Sequence, residues 1–261
     1  MAVDPAGAEG KKQSQIIDPS SGMSMIDTVL FDCWGTLLHA PGLMTRGATM
    51  EYFFNSLKSN GLDIDYEAFK EKYAEIAKRQ HEDAMEDQRE LDYVHRLDST
   101  LSAMGLDDHD RSDLARKVWL DYLLEWPKQS NLYAETPNLL SSLQGRYRLG
   151  LVTNFPDGPT ARMVFEKFNF DSFFDSIVVS GEVGFRKPNR LLFDLALHEL
   201  GSAAEFSVMV GDTFDADVLG AKGAGIKAIL VDVDCDKVEN YEKSDAIVKS
   251  IGEVEKILNS L

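Results

Sequence analysis

The sequence is poor in cysteine, in basic charge and in long apolar runs. Cys33 and Cys235 are its two cysteines, far apart and outside metal-ligand spacing. That argues against a zinc-binding cysteine cluster and a disulfide scaffold, and favours a reduced, cytoplasmic setting. No apolar run approaches the ~18–20 residues needed to span a bilayer. Lys11 and Lys12 are followed by no apolar stretch, so the chain reads as lacking a secretory leader. Basic residues number 27 against 44 acidic ones, a net charge of −17. A surface that acidic repels phosphate backbones and anionic lipid heads, so neither nucleic acid nor a membrane is an expected partner.

What is present is an ordinary globular balance. Hydrophobic residues make up 44% and charged residues 27%, which excludes a disordered or fibrous chain. A length of 261 residues fits one large domain, or one domain with a sizeable insert. Residues 1–24 are polar, rich in Gly, Ser, Pro and Ala, and aperiodic. They read as a disordered tail, with Met23 or Met25 as the native start.

Order begins at Ile26-Asp27-Thr28-Val29-Leu30-Phe31, a short β-rich run. Residues 42–135 then carry only helical signals. Phe69, Tyr73, Ile76 and Gln80 recur at helical spacing and predict a helix over about 65–88. Another is expected over about 110–125, ended by Pro127. From 136 helices and strands alternate. Helices are expected from Thr136, over 158–168, over 189–200 and over 214–224. Strands are expected over 147–153, 176–179, 206–210 and 226–231. Such alternation implies a parallel sheet covered on both faces, with its sites at the carboxyl ends of the strands.

Four polar clusters follow expected strands. Asp32 ends the first strand before Trp34-Gly35-Thr36, where a carboxylate can serve as nucleophile or metal ligand. Thr153-Asn154 ends the second and can hold an anionic oxygen. Arg186-Lys187-Pro188 precedes a helix, and Lys187 there can neutralise charge on nucleophile and substrate. Gly211-Asp212 is followed by Asp215 and Asp217, carboxylates suited to a hard cation such as Mg²⁺. Singly these are ordinary turn and capping residues. Jointly, in this order, they point to one site.

That pattern resembles the haloacid dehalogenase-like (HAD) hydrolase superfamily over about residues 26–250, with a first motif of the D-x-W-G-T kind. The resemblance implies an α/β fold: a Rossmann-like, three-layer α/β/α core made of 25–41 and 136–261. Residues 42–135 are then an inserted helical cap of the C1 type. It further implies Asp32 as nucleophile, with Thr153 and Lys187 as its catalytic partners. Trp34, Asn154 and Arg186 become substrate-binding positions. Mg²⁺ would be held by Asp32, the Trp34 carbonyl and Asp212, with support from Asp217 or, equally by spacing, Asp215. The expected protein is a monomer or homodimer acting on a small anionic substrate.

One position departs from the family's phosphatases, which carry a second Asp where this chain has Trp34. General acid–base help is worth roughly 10²–10⁴-fold, and Trp cannot supply it. The first reading is a Mg²⁺-dependent phosphohydrolase whose leaving group needs no acid, or one that draws it from His39, His81 or His95. The second is a 2-haloacid dehalogenase, whose relatives bear an aromatic residue at the Trp34 position and whose halide needs no proton. Against it stand the retained Gly211-Asp212 and an Arg that first occurs only at Arg46. The third is a catalytically impaired binding protein. A phosphonate hydrolase is a lesser option, with Lys58 as its early lysine.

Overall fold

The computed structural model describes residues 26–45, 47–106, 108–231 and 243–261. The tail, Arg46 and Cys235 lie outside the described residues. Along the chain run β1 (Thr28–Phe31), β2 (Leu38–His39), α1 (Ala48–Ser59), α2 (Tyr66–Asp87), α3 (Tyr93–Ala103) and α4 (Asp108–Leu123). Then come α5 (Trp126–Gln129), β3 (Asn131–Leu132), α6 (Thr136–Leu143), β4 (Arg148–Thr153), α7 (Gly158–Lys167), β5 (Ser176–Val179) and α8 (Ser180–Val183). The chain closes with α9 (Arg190–Leu200), β6 (Ser207–Gly211), α10 (Gly220–Gly223), β7 (Lys227–Val231), β8 (Ala246–Val248) and α11 (Val254–Leu258).

Six strands form one sheet in the order β5-β4-β1-β6-β7-β8, and every pairing is parallel. A parallel sheet is buried on both faces, which is why these strands read as near-continuous apolar runs. Side chains alternate between two cores. Val29, Phe31, Leu151 and Val210 join one, packed on α6, α7 and α11. Leu30, Val152, Met209 and Leu230 join the other, packed on α9 and α10. The expected α/β architecture is therefore the observed one. β1 lies at the centre, between β4 and β6, so its end is flanked by the ends of both.

The helical block between β2 and β3 has its own buried cluster, with Phe53, Phe69, Leu97, Leu101 and Val118 at its centre. Asp65 and Asp92 start α2 and α3 by accepting the Ala68 and His95 amides at 2.9 Å, as N-caps do. Among the described residues no helix is long and apolar enough to cross a membrane.

Three expectations need correction. Pro127 does not end the helix over 110–125. α4 stops at Leu123, and Pro127 sits in the first turn of α5, where its missing amide costs nothing. The stretch 42–135 is not wholly helical, because β3 returns to pair antiparallel with β2. The helix expected over 214–224 is a π-helical turn over Phe214–Leu219 followed by the short α10.

Phe31 is fully buried and meets Phe174 edge-on at 6.3 Å. Phe31→Ala is expected to lower the unfolding free energy by about 3–5 kcal/mol. The check is a shift in denaturant midpoint at constant slope.

Candidate functional site

Asp32 is placed by the sheet. Its amide donates to the Val210 carbonyl at 2.9 Å, continuing the β1–β6 ladder one residue past the strand. The carboxylate thus emerges where β1, β4 and β6 end together. Lys187 enters from the loop after α8 and is 2% exposed. Its Nζ donates to Asp32 Oδ1, Asp217 Oδ1 and the Val152 carbonyl, each at 2.6 Å. An ammonium has three donors, so it is saturated there.

Asp217 is 1% exposed, and its Oδ2 accepts the Thr213 amide at 2.9 Å. The wide π turn is what turns Asp217 inward. Asp215, equally eligible by spacing, is exposed and stands outside the cluster. Asp212 completes the group, with Thr36 Oγ1 donating to its Oδ1 at 3.3 Å. Two glycines permit this crowding. A Cβ on Gly35, whose φ is +96°, would overlap the Asp212 carboxylate, and one on Gly211 would overlap Asp217.

Asp32, Asp212 and Asp217 offer carboxylate oxygens within 4.8 Å of one another. When all three are ionised, three negative charges face one lysine, leaving two uncompensated. The shifts record the conflict. Desolvation, then Asp32 and Asp217, pushes the Asp212 carboxyl up to about 7, even though Asp212 as a residue is exposed at the surface. Burial, reinforced by Asp32 and opposed by Lys187, pushes Asp217 up to about 6. Burial works against the Lys187 charge, but Asp217 and Asp32 outweigh it and hold the ammonium above the usual lysine range. Hard oxygen donors with residual negative charge suit Mg²⁺, so the residues fit the expected cation.

Thr153 is buried at the end of β4, beside this cluster. Asn154 has a use that its substrate-binding assignment did not foresee. Its Nδ2 donates to the Lys187 carbonyl at 3.1 Å and its Oδ1 accepts the Lys187 amide at 2.7 Å. The side chain is thereby committed to the backbone of Lys187, so it positions the lysine. Arg186, also assigned to substrate, turns to Glu90 of the helical block at 3.6 Å.

Trp34 stacks on Phe155 at 4.3 Å and meets Trp126 edge-on at 5.6 Å. Its Nε1 faces Ser130 Oγ at 3.4 Å. It fills an aromatic seam between the sheet ends and the helical block. Above that seam is a cavity of about 210 Å³ whose lining includes Thr49, Tyr93, Tyr122, Trp126, Asn154 and Phe155. No carboxylate or imidazole belongs to that lining. His39 packs on Tyr133, while His81 and His95 are exposed on the helical block. Lys58 is exposed and paired with Asp63. None of the three histidines, nor Lys58, reaches the cavity. Thr36 and Glu90 were missed by sequence reading. Thr36 lies in the D-x-W-G-T stretch and could have been found there.

Asp32, the buried Lys187 and the carboxylates of Asp212 and Asp217 thus gather at neighbouring ends of a parallel sheet. Residues 26–225 match the haloacid dehalogenase-like hydrolase family, and the chain belongs to it. It is 38% identical over 135 residues to the glyceraldehyde 3-phosphate phosphatase of Methanothermobacter thermautotrophicus, a match spanning 48% of this chain and 58% of that protein. It is 26% identical over 244 residues to the ribulose-1,5-bisphosphate 5-phosphatase of Halopiger xanaduensis, spanning 88% of this chain and 98% of that one. Its fold is similar to the 2-haloacid dehalogenase of Pseudomonas syringae pv. Tomato, with a TM-score of 0.70, 21% identity, and coverage of 90% of this chain and 99% of that one.

The raised carboxyls carry a sign. In the folded state Asp212 and Asp217 hold protons that the unfolded chain has already released. Their contribution to stability therefore falls as pH rises from ~4 towards about 7. A bound cation reverses that loss. At a hundred times its Kd, Mg²⁺ should add about 2.7 kcal/mol. The melting temperature is expected to rise more with Mg²⁺ at pH 8 than at pH 5, and Asp212→Asn should erase most of the difference. Equal Mg²⁺ effects at both pH values would contradict this charge reading.

Proposed function

We propose that the protein is a Mg²⁺-dependent phosphohydrolase that acts on a small phosphorylated metabolite through an aspartyl-phosphate intermediate. The observation that carries the reading is the excess of two negative charges where Asp32, Asp212 and Asp217 meet Lys187. A phosphoryl group would add more negative charge, so the site makes sense only with a cation beside it. Asp32, Asp212 and the Trp34 carbonyl would hold Mg²⁺, with Asp217 in support. When bound, it supplies positive charge that draws the phosphoryl oxygens and the nucleophile together. The relatives whose names specify phosphatases favour the same reading.

Lys187 holds Asp32 Oδ1, which leaves Oδ2 to attack phosphorus. The new Oδ2–P bond forms as the bond from phosphorus to the leaving oxygen breaks. Thr153 and the Asn154 amide hold a transferring oxygen, and Lys187 balances the charge that develops. Water then cleaves the aspartyl phosphate and restores Asp32. Residues 42–135 act as a C1-type cap over a core of 25–41 and 136–261, excluding bulk water and selecting the leaving group. Trp34 packs behind the cavity-lining Phe155 and Trp126 and stands where the family's phosphatases place an acid. Leaving groups that depart without a proton, such as acyl and aryl oxygens, are therefore favoured.

The dehalogenase reading keeps one supporting observation, the aromatic residue at position 34. It gives no reason for the carboxylate pair of Asp212 and Asp217.

The deciding assay sets acetyl phosphate, p-nitrophenyl phosphate and 2-chloropropionate side by side, with Mg²⁺ and with excess EDTA. Phosphate release from the first two, lost in EDTA, is expected. Chloride release that survives EDTA would select the dehalogenase instead. Asp32→Asn should lower kcat by at least ~10³-fold with the fold intact by circular dichroism. Wild-type-like turnover in that variant would end the nucleophile assignment. Acetyl phosphate should also exceed a simple alkyl phosphate in kcat by ~10²–10⁴-fold, the scale of the missing acid.

A further inference from the structure

The cavity of about 210 Å³ lies where the helical block meets the core. Tyr93, Trp119, Tyr122 and Trp126 reach it from the block, and Phe155 reaches it from the loop after β4. Among the described residues, no lysine, arginine, histidine or carboxylate belongs to its lining. Polar side chains there already have partners. Thr49 Oγ1 and the Tyr122 hydroxyl bond each other at 3.0 Å, and the Asn154 amide is committed to the Lys187 backbone. The space is therefore uncharged and dominated by rings.

Those rings are braced from behind. Tyr93 and Trp119 stack at 4.8 Å with 3° between their planes, and the Arg96 guanidinium covers Tyr93 at 4.4 Å. Phe155 is stacked on Trp34 at 4.3 Å and meets Trp126 edge-on at 5.0 Å. A wall held this way presents ready faces and edges, and aromatic contacts gain beyond the area they bury. A cavity of roughly 150 Å³ is room for a benzene ring, so this one accepts a single ring and its attached oxygen. The cavity meets the catalytic cluster at Asn154, the residue after Thr153 and the one that grips Lys187. A leaving group that departs past Asn154 enters this aromatic space.

We propose that the leaving group carries a compact, uncharged aromatic ring, selected by the wall of Tyr93, Trp119, Tyr122, Trp126 and Phe155. This rests on the phosphohydrolase reading and deepens it. As the bond from Asp32 Oδ2 to phosphorus forms, the electron pair of the broken P–O bond stays on the leaving oxygen. An aryl or aroyl oxygen holds that pair without a proton, so the ring and the missing acid point to the same substrates. A second phosphate on the leaving group finds no cation in the lining to offset its desolvation. A small aliphatic group leaves the faces of the rings without contact, and the dispersion attraction is lost.

The test compares benzoyl phosphate with acetyl phosphate on the full chain with Mg²⁺. Both release a carboxylate of similar basicity, and only the first carries a ring. Benzoyl phosphate should exceed acetyl phosphate in kcat/KM by at least ~10-fold. Thr49 lines the cavity from the first turn of α1. Thr49→Phe puts a side chain where the ligand ring would lie, and should shrink the advantage to under ~3-fold. Thr49→Leu, a smaller intrusion from the same position, serves if Thr49→Phe does not fold. An advantage absent from the wild type, or retained in the folded variant, overturns the assignment. If neither acyl phosphate is hydrolysed, the phosphohydrolase reading fails by itself. Calorimetric Kd values for phenylphosphonate and methylphosphonate, which cannot be turned over, then decide the ring claim independently. Phenylphosphonate should bind at least ~10-fold more tightly, and equal or unmeasurable binding overturns the claim.

Discussion

The Lys187 ammonium is the point on which the site turns. It is buried and saturated by Asp32, Asp217 and the Val152 carbonyl. Losing any one acceptor would leave a buried donor unpaired, a penalty of several kcal/mol when charge is involved. The surrounding structure supplies those acceptors from three separate segments. β1 delivers Asp32, β4 delivers the Val152 carbonyl, and the π turn after β6 delivers Asp217. Asn154 grips the lysine's own backbone from the far side. A parallel sheet with β1 between β4 and β6 is the arrangement that brings these ends within one lysine's reach. The fold is thus constrained by the ion cluster as well as constraining it.

Much of this was legible in the sequence, because strand-end chemistry obeys a simple rule. Sheets buried on both faces show as apolar runs, and their carboxyl ends show as the first polar residues after them. Asp32, Thr153 and Asp212 follow that rule, and so the four clusters could be placed on one edge before any coordinates. Asp215 and Asp217 could not be told apart, since an α-helix and a π turn rotate successive side chains by different angles. Sequence spacing carries no sign of which turn forms. The bonds of the Asn154 side chain to the Lys187 backbone were hidden for a similar reason. An amide can serve a ligand or a backbone equally well, and its partner 33 residues away is set only by tertiary structure.

The acidic excess divides in the same manner. Residues 82–113 hold eleven acidic side chains and three arginines, and most of that run behaves as a solvated surface. Asp87 and Asp98 lie at or near the surface, paired with Arg89 and Arg111. Glu90 departs from the pattern because the chain leaves α2 at Gln88, whose φ is +56°, and then runs along the 184–186 loop. Helical periodicity ends there, so no periodic argument could mark Glu90 as inward-facing. An acidic surface is therefore compatible with the anionic substrate proposed, since the charges at the carboxylate cluster are few and locally set.

Trp34 connects these observations. The Trp34 indole sits among Phe155, Trp126 and Phe165, an apolar setting in which a charged group is poorly solvated. The indole instead joins the sheet ends to the helical block, with Trp126 and Phe155 also in mutual contact at 5.0 Å. The same seam that removes the acid also forms the cavity floor and its aromatic character. On the phosphohydrolase proposal, what the centre lacks in proton transfer would be recovered through the choice of leaving group, and that choice would fall to the helical block. Chemistry and specificity are therefore not separable here. A substitution at Trp34 that restored a carboxylate would at once loosen the seam, and the leaving-group pocket would change along with the acid it gained.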